Sequence, residues 1–393
     1  MKPARFYFFL PALLLLSLFA CQTPRYAAKK ALRNLLQDSI CQQAHVGIAI
    51  WDLQKRKYVL RHQHQQYFVP ASNVKIATLY TALKYLPDSL PALDVHETND
   101  SLFLRTKGDP TFLRTDFNPQ KNFERLRSNT KPIVLISPPW NTEFYGKGWA
   151  WEDRLQSYMP ERSAMPLYGN CLRSKSVDTP ALIPFATKGI ETAAALLSDT
   201  LGVPVVPAYS RLIASDSFQT IYSFPTDSVA KKMMHQSDNF LAEQLLLASG
   251  LQLFGSFDEK AIIAKITNEL FADTSLRPEW VDGSGLSRHN LFTPENFIQL
   301  LQQLEKEFGR ERVLPLFPTG GEGTLKEYFI PQRGKIFAKT GTLSGHSALS
   351  GFIVKENGKR YLFSLLINHY KAPAKAVRKA IEEFVCTAFF DKD

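Results

Sequence analysis

The stretch Ser72-Asn73-Val74-Lys75 is followed by an apolar pattern of helical spacing over residues 76–86. Such a pattern predicts a helix that begins close to Ser72. Residues three apart share one face of a helix, so the amine of Lys75 can lie beside the hydroxyl of Ser72. The positive end of the helix dipole would also favour negative charge near this serine. On this stretch alone, a nucleophile beside its base and a helix cap beside a surface charge are equally compatible with the pattern.

Two further short motifs follow in a fixed order, Ser237-Asp238-Asn239 and Lys339-Thr340-Gly341. A serine one helical turn from a lysine, a second hydroxyl in a loop and a basic strand edge are the parts of a penicillin-sensitive acyl-transfer site. One such motif alone is a weak signal. All three in this order, spread over most of the chain, favour a nucleophilic role for Ser72 over a helix cap.

The Ser-x-x-Lys spacing also occurs in two places where its context differs. Ser128 and Lys131 precede Pro132, and because a residue before proline is pushed away from helical angles, this copy is predicted to be a loop. Ser228 and Lys231 could lie on a helix, but they belong to a polar run that indicates a solvated face. Neither copy is predicted to carry chemistry.

The chain begins with the pattern of a processing signal. Lys2 and Arg5 precede an apolar run over 6–20, which is shaped like a signal-peptide core and is short for a membrane span. The run ends in Leu18-Phe19-Ala20-Cys21, which resembles a bacterial lipoprotein cleavage site. The resemblance implies cleavage before Cys21, lipidation of its thiol and tethering to a membrane. Phe19 is bulkier than is usual in that motif, which leaves ordinary secretion as the alternative.

Length and composition fit an exported globular protein. The 393 residues leave room for more than one domain, and 45% hydrophobic content with 12% aromatics can build cores. The net charge of +10 becomes +8 when Lys2 and Arg5 leave with the signal. This balance suits an acidic polymer or a carboxylate-bearing substrate. Nucleic acid is not an expected partner, because the basic residues are scattered rather than gathered in runs.

Three cysteines would remain after lipidation of Cys21: Cys41, Cys171 and Cys386. Cys41 ends an amphipathic N-terminal segment and Cys386 lies in the last helix-like segment. If the two segments pack side by side, Cys41 and Cys386 could form a disulfide in an oxidising compartment, or they could be two small buried hydrophobes. No spacing resembles a zinc site and no glycine-rich phosphate loop follows a strand, so neither metal nor cofactor is predicted.

The remaining pattern indicates an α+β fold in which one domain interrupts another. Prolines and short strand-like pieces replace long helices between about 88 and 210. The predicted strands are 45–52, 58–60, 102–104, 133–136, 335–340, 347–355 and 361–368, and the predicted later helices are 228–250, 258–272, 294–308 and 376–389. The pair Asn357-Gly358 signals a hairpin between the last two strands. The predicted division is a signal peptide at 1–20, a discontinuous domain at 21–88 and 211–393, and an inserted β-rich domain at 89–210.

The chain resembles the serine D-alanyl-D-alanine carboxypeptidases and endopeptidases of the low-molecular-mass class C penicillin-binding proteins. Besides the three motifs, the resemblance rests on Lys107–Thr111, Gly148–Asp153, the extension of the second motif to Glu243, Asp282–Arg288, Gly323–Leu325 and Ala338–Leu343. These runs span roughly residues 45 to 370. The stretch between the first two motifs is shorter than in larger members, which leaves open whether a further nested domain is present.

The resemblance implies a transpeptidase (β-lactamase-like) fold, with an antiparallel sheet flanked by helices, a mainly helical lobe and the site in the cleft between them. It also implies roles for five catalytic residues: Ser72, Lys75, Ser237, Asn239 and Lys339. Ser72 would form an acyl-enzyme, and Lys75 would be its base if burial and the charge of Lys339 lower its pKa. Ser237 would relay a proton to the leaving amine, and Asn239 would hold Lys75 and a substrate carbonyl.

Substrate binding is implied for the strand edge at Thr340, Gly341 and Thr342. Lys339 and Thr340 would bind the terminal carboxylate, and the backbone N–H groups of Ser72 and Thr342 would form the oxyanion hole. Asp282–Gly285 is expected to be a turn at the cleft rim. Trp149 and Trp151 are expected to be packing residues, with a platform for a glycan strand as the alternative.

The implied activity is hydrolysis of peptidoglycan stem peptides in the periplasm by a lipid-anchored enzyme that β-lactam antibiotics inhibit. A β-lactamase is the alternative, but no convincing Glu-x-x-x-Asn deacylation loop is found. A catalytically silent wall-binding protein of the same fold is a further alternative, and the intact set of five catalytic residues argues against it. Whether the enzyme trims terminal D-alanine or cuts cross-links is not decided by these motifs.

Overall fold

The computed structural model describes residues 24–174, 182–209, 217–272, 274 and 276–390. The predicted signal peptide at 1–20 and the predicted lipidation residue Cys21 lie outside the described residues. No helix within the described ranges is both long and apolar enough to cross a bilayer.

The described chain folds into α-helices and β-strands in mixed order. The helices are α1 Pro24–Gln37, α2 Lys75–Tyr85, α3 Lys121–Arg127, α4 Ile190–Leu201, α5 Thr226–Gln236, α6 Asn239–Phe254, α7 Glu259–Phe271, α8 Pro294–Phe308, α9 Arg310–Val313 and α10 Ala374–Phe389. The strands are β1 His45–Asp52, β2 Lys57–His62, β3 Ser89–Glu97, β4 Leu102–Thr106, β5 Ile133–Ser137, β6 Cys171–Arg173, β7 Leu182–Pro184, β8 Val205–Tyr209, β9 Gln219–Pro225, β10 Ile336–Leu343, β11 His346–Val354 and β12 Arg360–Asn368.

The first sheet is antiparallel, with the strand order β10-β11-β12-β1-β2. Successive side chains of a strand point to opposite faces, and β12 separates two cores in this way. Leu362 and Leu366 pack into the core formed with α2 and α8, whereas Phe363 and Leu365 pack into the core formed with α1 and α10. Both faces of the sheet are therefore covered by helices. The predicted hairpin at Asn357-Gly358 is confirmed, since it joins β11 to β12.

The second sheet has the strand order β8-β5-β4-β3-β9 and a core of its own. Its β3–β4 and β3–β9 pairs are antiparallel, whereas β4–β5 and β5–β8 are parallel. The strand β9, at Gln219–Pro225, belongs to this sheet, although the predicted boundary after residue 210 placed it in the discontinuous domain. The division of the chain into domains stays a prediction.

The single helix predicted over 228–250 is wrong, because the structure has two helices, α5 and α6, in its place. Ser237 takes a left-handed conformation, with φ of +57°, and ends α5. Asp238 then begins α6, where its Oδ1 accepts the N–H of Leu241 at 2.8 Å. A left-handed residue followed by a side-chain cap ends one helix and begins the next, and this break brings Ser237 to the surface of the cleft.

The first and last helical segments pack side by side, since α1 and α10 share one hydrophobic core. The disulfide alternative for Cys41 and Cys386 is wrong. Cys41 is a buried free thiol, and burial raises its pKa to about 11. Both cysteines contribute to the hydrophobic core, as expected if they act as small hydrophobic residues.

Candidate active site

The turn that carries Ser72 precedes α2. Residues Ala71–Val74 form a short 3-10 helix, and Lys75 is the first residue of α2. Ala71 has a positive φ of 49°, a conformation that is uncommon outside glycine and is often found beside functional groups. Lys75 is fully buried and Ser72 is partly exposed. The hydroxyl of Ser72 is therefore reachable from the cleft, while the amine beside it is shielded from water.

Lys75 uses its three N–H groups on three acceptors. Its Nζ donates to Ser72 Oγ at 2.9 Å, to Asn239 Oδ1 at 2.6 Å and to the backbone O of Ser284 at 2.6 Å. An ammonium has three donors and no acceptor, so this arrangement satisfies it completely. The amide of Asn239 is fixed in turn, because its Nδ2 donates to the backbone O of Tyr158 at 2.9 Å. The amine is thus held in one position against the serine.

Lys339 forms the second cationic position, on β10. It is fully buried, and its Nζ donates to Ser237 Oγ at 2.8 Å and to the backbone O of Thr340 at 2.8 Å. Two links join the surroundings of Lys75 to those of Lys339. Asn239, which contacts Lys75, follows Ser237, which contacts Lys339, by two residues. Asn73 Nδ2 also donates to the backbone O of Lys339 at 3.1 Å. The structure therefore brings together all five residues that the sequence predicted to be catalytic.

The predicted substrate-binding residues lie on β10, at the edge of the first sheet. Thr340 and Thr342 are partly exposed and Gly341 is buried. A Cβ at Gly341 would lie 2.6 Å from the backbone O of Pro70, so only glycine lets the strand approach the Ser72 turn this closely. Thr342 Oγ1 accepts a hydrogen bond from Arg378 Nη2 at 2.9 Å. An edge strand offers unpaired backbone groups to which an extended peptide can bind.

Burial sets the charge of the two lysines. Burial lowers the pKa of Lys75 to about 8, although the carboxylates of Asp282, Glu243 and Asp238 oppose this shift. The pKa of Lys339 lies well below its usual value because of burial first and the charge of Lys75 second. Burial is the largest cause of the lowered pKa of Lys75, and the contribution expected from the charge of Lys339 stays a prediction.

The turn at Asp282–Gly285 was expected only to shape the rim of the cleft. In the structure, the loop Asp282–Arg288 also contacts Lys75. The carboxylate of Asp282 organises the loop by accepting hydrogen bonds from Gly285 N, Ser287 N, Asn290 Nδ2 and Trp149 Nε1, at 2.8, 2.6, 2.8 and 2.9 Å. The loop then presents the Ser284 carbonyl to Lys75. A Cβ at Gly285 would lie 2.0 Å from the backbone O of Ala71, so the loop contacts the turn that carries Ser72 directly.

The two tryptophans differ in their surroundings. Trp149 is tied to Asp282 by its indole N–H, which agrees with the expected packing role. Trp151 is 68% exposed, and the guanidinium of Arg154 lies 4.5 Å from its ring centre. Among the residues that the structure describes, no group of His, Cys, Asp and Glu could hold a metal ion.

A groove of about 610 Å³ opens beside Ser237 and Asn239. The residues that line it also include Arg114, Tyr168 and Arg173. Two residues of the five-residue cluster, Ser237 and Asn239, therefore line an open groove.

The family model described as the D-Ala-D-Ala carboxypeptidase 3 (S13) family matches residues 28–181 and 188–388. The chain belongs to this family. Its curated relatives include the D-alanyl-D-alanine carboxypeptidase DacB of Haemophilus influenzae, which is 30% identical over 181 residues, or 43% of this chain and 36% of that protein. The matched part spans less than half the length of the curated relatives.

Solved structures show the same fold. The crystal structure of penicillin binding protein 4 (dacB) from Haemophilus influenzae has a TM-score of 0.73 and 19% identity, with 90% of this chain and 97% of that chain covered. Bd3459, described as a predatory peptidoglycan endopeptidase from Bdellovibrio bacteriovorus, has a TM-score of 0.60 and 16% identity, with 87% and 92% covered. The predicted α+β transpeptidase fold of this S13 family member is thus confirmed.

Sequence reasoning missed two members of the site. Ser284 acts through a backbone carbonyl, which any residue type supplies, so no side-chain pattern could reveal it. Glu243 was included in a motif but received no role; it is buried beside the Ser284 loop. A glutamate is rarely buried without a hydrogen-bonding or ionic partner, but the spacing of residues in the sequence does not identify that partner.

Proposed function

We propose that the chain is a serine D-Ala-D-Ala peptidase that hydrolyses peptidoglycan stem peptides through an acyl-enzyme on Ser72. The observation that carries the proposal is the 2.9 Å contact between the buried Lys75 amine and the partly exposed Ser72 hydroxyl. Membership of the S13 family supports it, as does the similarity to the D-alanyl-D-alanine carboxypeptidase DacB of Haemophilus influenzae.

The acylation step uses Lys75 as the base. Neutral Lys75 takes the proton of Ser72 Oγ while Oγ forms a bond to the carbonyl carbon of the penultimate D-alanine. The negative charge that develops on the carbonyl oxygen is stabilised by the backbone N–H groups of Ser72 and Thr342. When the peptide C–N bond breaks, Ser237 Oγ relays to the leaving amine the proton that Lys75 took from Ser72, so that Lys75 is neutral again and Ser237 keeps its hydroxyl. Its contact with Lys339 Nζ at 2.8 Å holds it for this transfer.

Substrate binding follows from the donors that remain. Asn239 Nδ2 has two hydrogens, of which Tyr158 accepts one, so the other is available to a substrate carbonyl. Lys339 has three hydrogens, of which two are used on Ser237 and Thr340. Its third, together with the hydroxyl of Thr340, binds the terminal carboxylate. Gly341 and Thr342 complete the strand edge along which the peptide extends. In the second step neutral Lys75 takes a proton from water as the water oxygen bonds to the acyl carbon, and returns a proton to Ser72 Oγ when the ester C–O bond breaks.

The test of this function compares two substrates. We expect the purified protein to release D-alanine from a diacyl-D-Ala-D-Ala peptide and to be acylated by penicillin, with far slower turnover of nitrocefin. Efficient nitrocefin hydrolysis without peptide cleavage would contradict the proposal and indicate a β-lactamase. Mass spectrometry of digested muropeptides then defines the product, because loss of one alanine identifies a carboxypeptidase and loss of cross-linked dimers identifies an endopeptidase.

We also propose that the protein is exported to the periplasm and anchored through lipid on Cys21. The proposal is supported by the sequence pattern at 1–21 and by a substrate that lies outside the cytoplasm. We expect full-length protein to incorporate a labelled fatty acid and to fractionate with membranes, and Cys21→Ser to do neither. Equal labelling of the two proteins would contradict lipidation at this residue.

A further inference from the structure

Glu243 is buried on α6, one turn after Asn239. Its side chain is 1% exposed. Its Oε1 accepts the backbone N–H of Ser284 at 2.7 Å, and its Oε2 accepts from Arg162 Nη1 at 3.2 Å. Residues four apart share one face of a helix, so Glu243 and Asn239 point toward the same region. A carboxylate is rarely buried to this degree without a defined partner.

The Ser284 peptide group links Glu243 to the catalytic amine. Its N–H is held by Glu243, and its carbonyl oxygen accepts from Lys75 Nζ at 2.6 Å. Helix α6 therefore contacts Lys75 twice, directly through Asn239 and indirectly through Glu243 and Ser284. One rigid helix defines two of the three hydrogen bonds of the base.

The loop has little freedom to move away from α6. A Cβ at Gly283 would lie 2.7 Å from the backbone O of Ala242, so the two backbones are in direct contact. On its other side, Thr78 Oγ1 donates to the backbone O of Gly283 at 2.6 Å. The loop is thus held between α2 and α6, and Glu243 supplies the hydrogen bond at its centre.

We propose that Glu243 is a positioning residue, which fixes the Ser284 carbonyl against the Lys75 amine and so aims that amine at Ser72. The inference rests on the proposed function and deepens it. Glu243 does not touch substrate or the reacting atoms; it acts through the Ser284 peptide group. Loss of the acceptor at Glu243 leaves the Ser284 N–H unpaired and lets the loop shift, and small displacements of a catalytic group slow a reaction strongly.

The surrounding charges favour a neutral substitute at this position. Arg162, Glu259 and Asp282 lie around Glu243. Burial raises the pKa of Glu243, and the charge of Asp282 adds to this shift while Arg162 opposes it. A neutral side chain is therefore compatible with the site, provided that it keeps an oxygen toward Ser284.

A matched pair of variants isolates the link to Ser284. Glu243→Gln and Glu243→Met both lose the ionic contact with Arg162, but only the glutamine keeps an oxygen that can accept from the Ser284 N–H. We expect the first-order rate constant of acylation by a fluorescent penicillin to fall by about 10- to 100-fold in Glu243→Met and to stay much closer to wild type in Glu243→Gln. Melting temperatures of both variants are measured in parallel.

Equal acylation rates in the two variants would overturn the inference. A carboxylate with only a structural role would lower the stability of both variants alike, without a difference in rate between them. If Glu243→Met does not fold, Thr78→Val decides, since it loosens the same loop from the side of α2 while nearly preserving volume. A several-fold slower acylation in Thr78→Val supports the inference, and an unchanged rate overturns it. Wild-type protein that penicillin does not label would overturn the proposed function as well, so the two failures are distinguishable.

Discussion

Replacing Ser72 with alanine should abolish covalent labelling by fluorescent penicillin and reduce peptide hydrolysis by at least about 10⁴-fold, since the variant lacks the oxygen that forms the acyl-enzyme. The fold should survive. Ser72 is partly exposed, and within the described residues its Oγ has Lys75 as its side-chain partner. Gel fluorescence after incubation with labelled penicillin measures the first effect, and D-alanine release from a diacyl peptide measures the second.

The chain provides its own control for this experiment. Ser228 has the same Ser-x-x-Lys spacing with Lys231, and both residues are exposed on α5. Ser228→Ala should therefore label and hydrolyse as wild type does. Residual labelling of Ser72→Ala at the wild-type level would mean that another residue is acylated, and the proposed mechanism would fall with that result.

The spacing within the first motif predicted the contact between Ser72 and Lys75 because its determinants are local. A helix that begins near Ser72 brings Lys75 to the same face, and this requires only the helical repeat. The nearly continuous apolar run of β12 likewise predicts a strand buried on both faces. Joining the three motifs was an inference from family resemblance, since nothing in the spacing of Ser237 or Lys339 requires them to meet Ser72.

Contacts made by backbone groups and by long-range packing escaped prediction. The Ser284 carbonyl carries no sequence signal, and the role of Glu243 depends on a loop that is distant in sequence. The break between α5 and α6 was missed because the apolar pattern continues across it, although Ser237 takes a left-handed conformation there. Glycine is the usual residue in that conformation, so a serine at this position does not indicate the end of a helix.

The location of Lys75, the proposed base, is consistent with an amine that accepts a proton near neutral pH. Lys75 is enclosed by protein on all sides, and its nearest carboxylates are not in direct contact with its Nζ, which instead meets a hydroxyl, an amide oxygen and a backbone oxygen. Neutral acceptors stabilise an ammonium less than a carboxylate would. Burial therefore prevails, and the pKa of Lys75 falls to about 8.

Lys75→Met should lower the rate of acylation by about 10²- to 10⁴-fold, the usual contribution of a general base. For wild-type protein we expect the acylation rate to rise with pH through a midpoint near 8, because only neutral Lys75 can accept the proton and its pKa lies at about 8. Below the midpoint the rate should fall about tenfold for each unit of pH. Stopped-flow acylation by a chromogenic β-lactam between pH 5 and 10 measures both effects.

The methionine variant should lose the rise near pH 8 together with most of the rate, since the group that titrates is gone. Lys231→Met is the matched control, because Lys231 is exposed on α5, and it should keep both the rate and the midpoint of wild type. A wild-type midpoint near pH 10, the ordinary value for a lysine, would show that the amine is not desolvated in solution. A rise near pH 8 that persists in Lys75→Met would assign the titration to another group and remove Lys75 from the role of base.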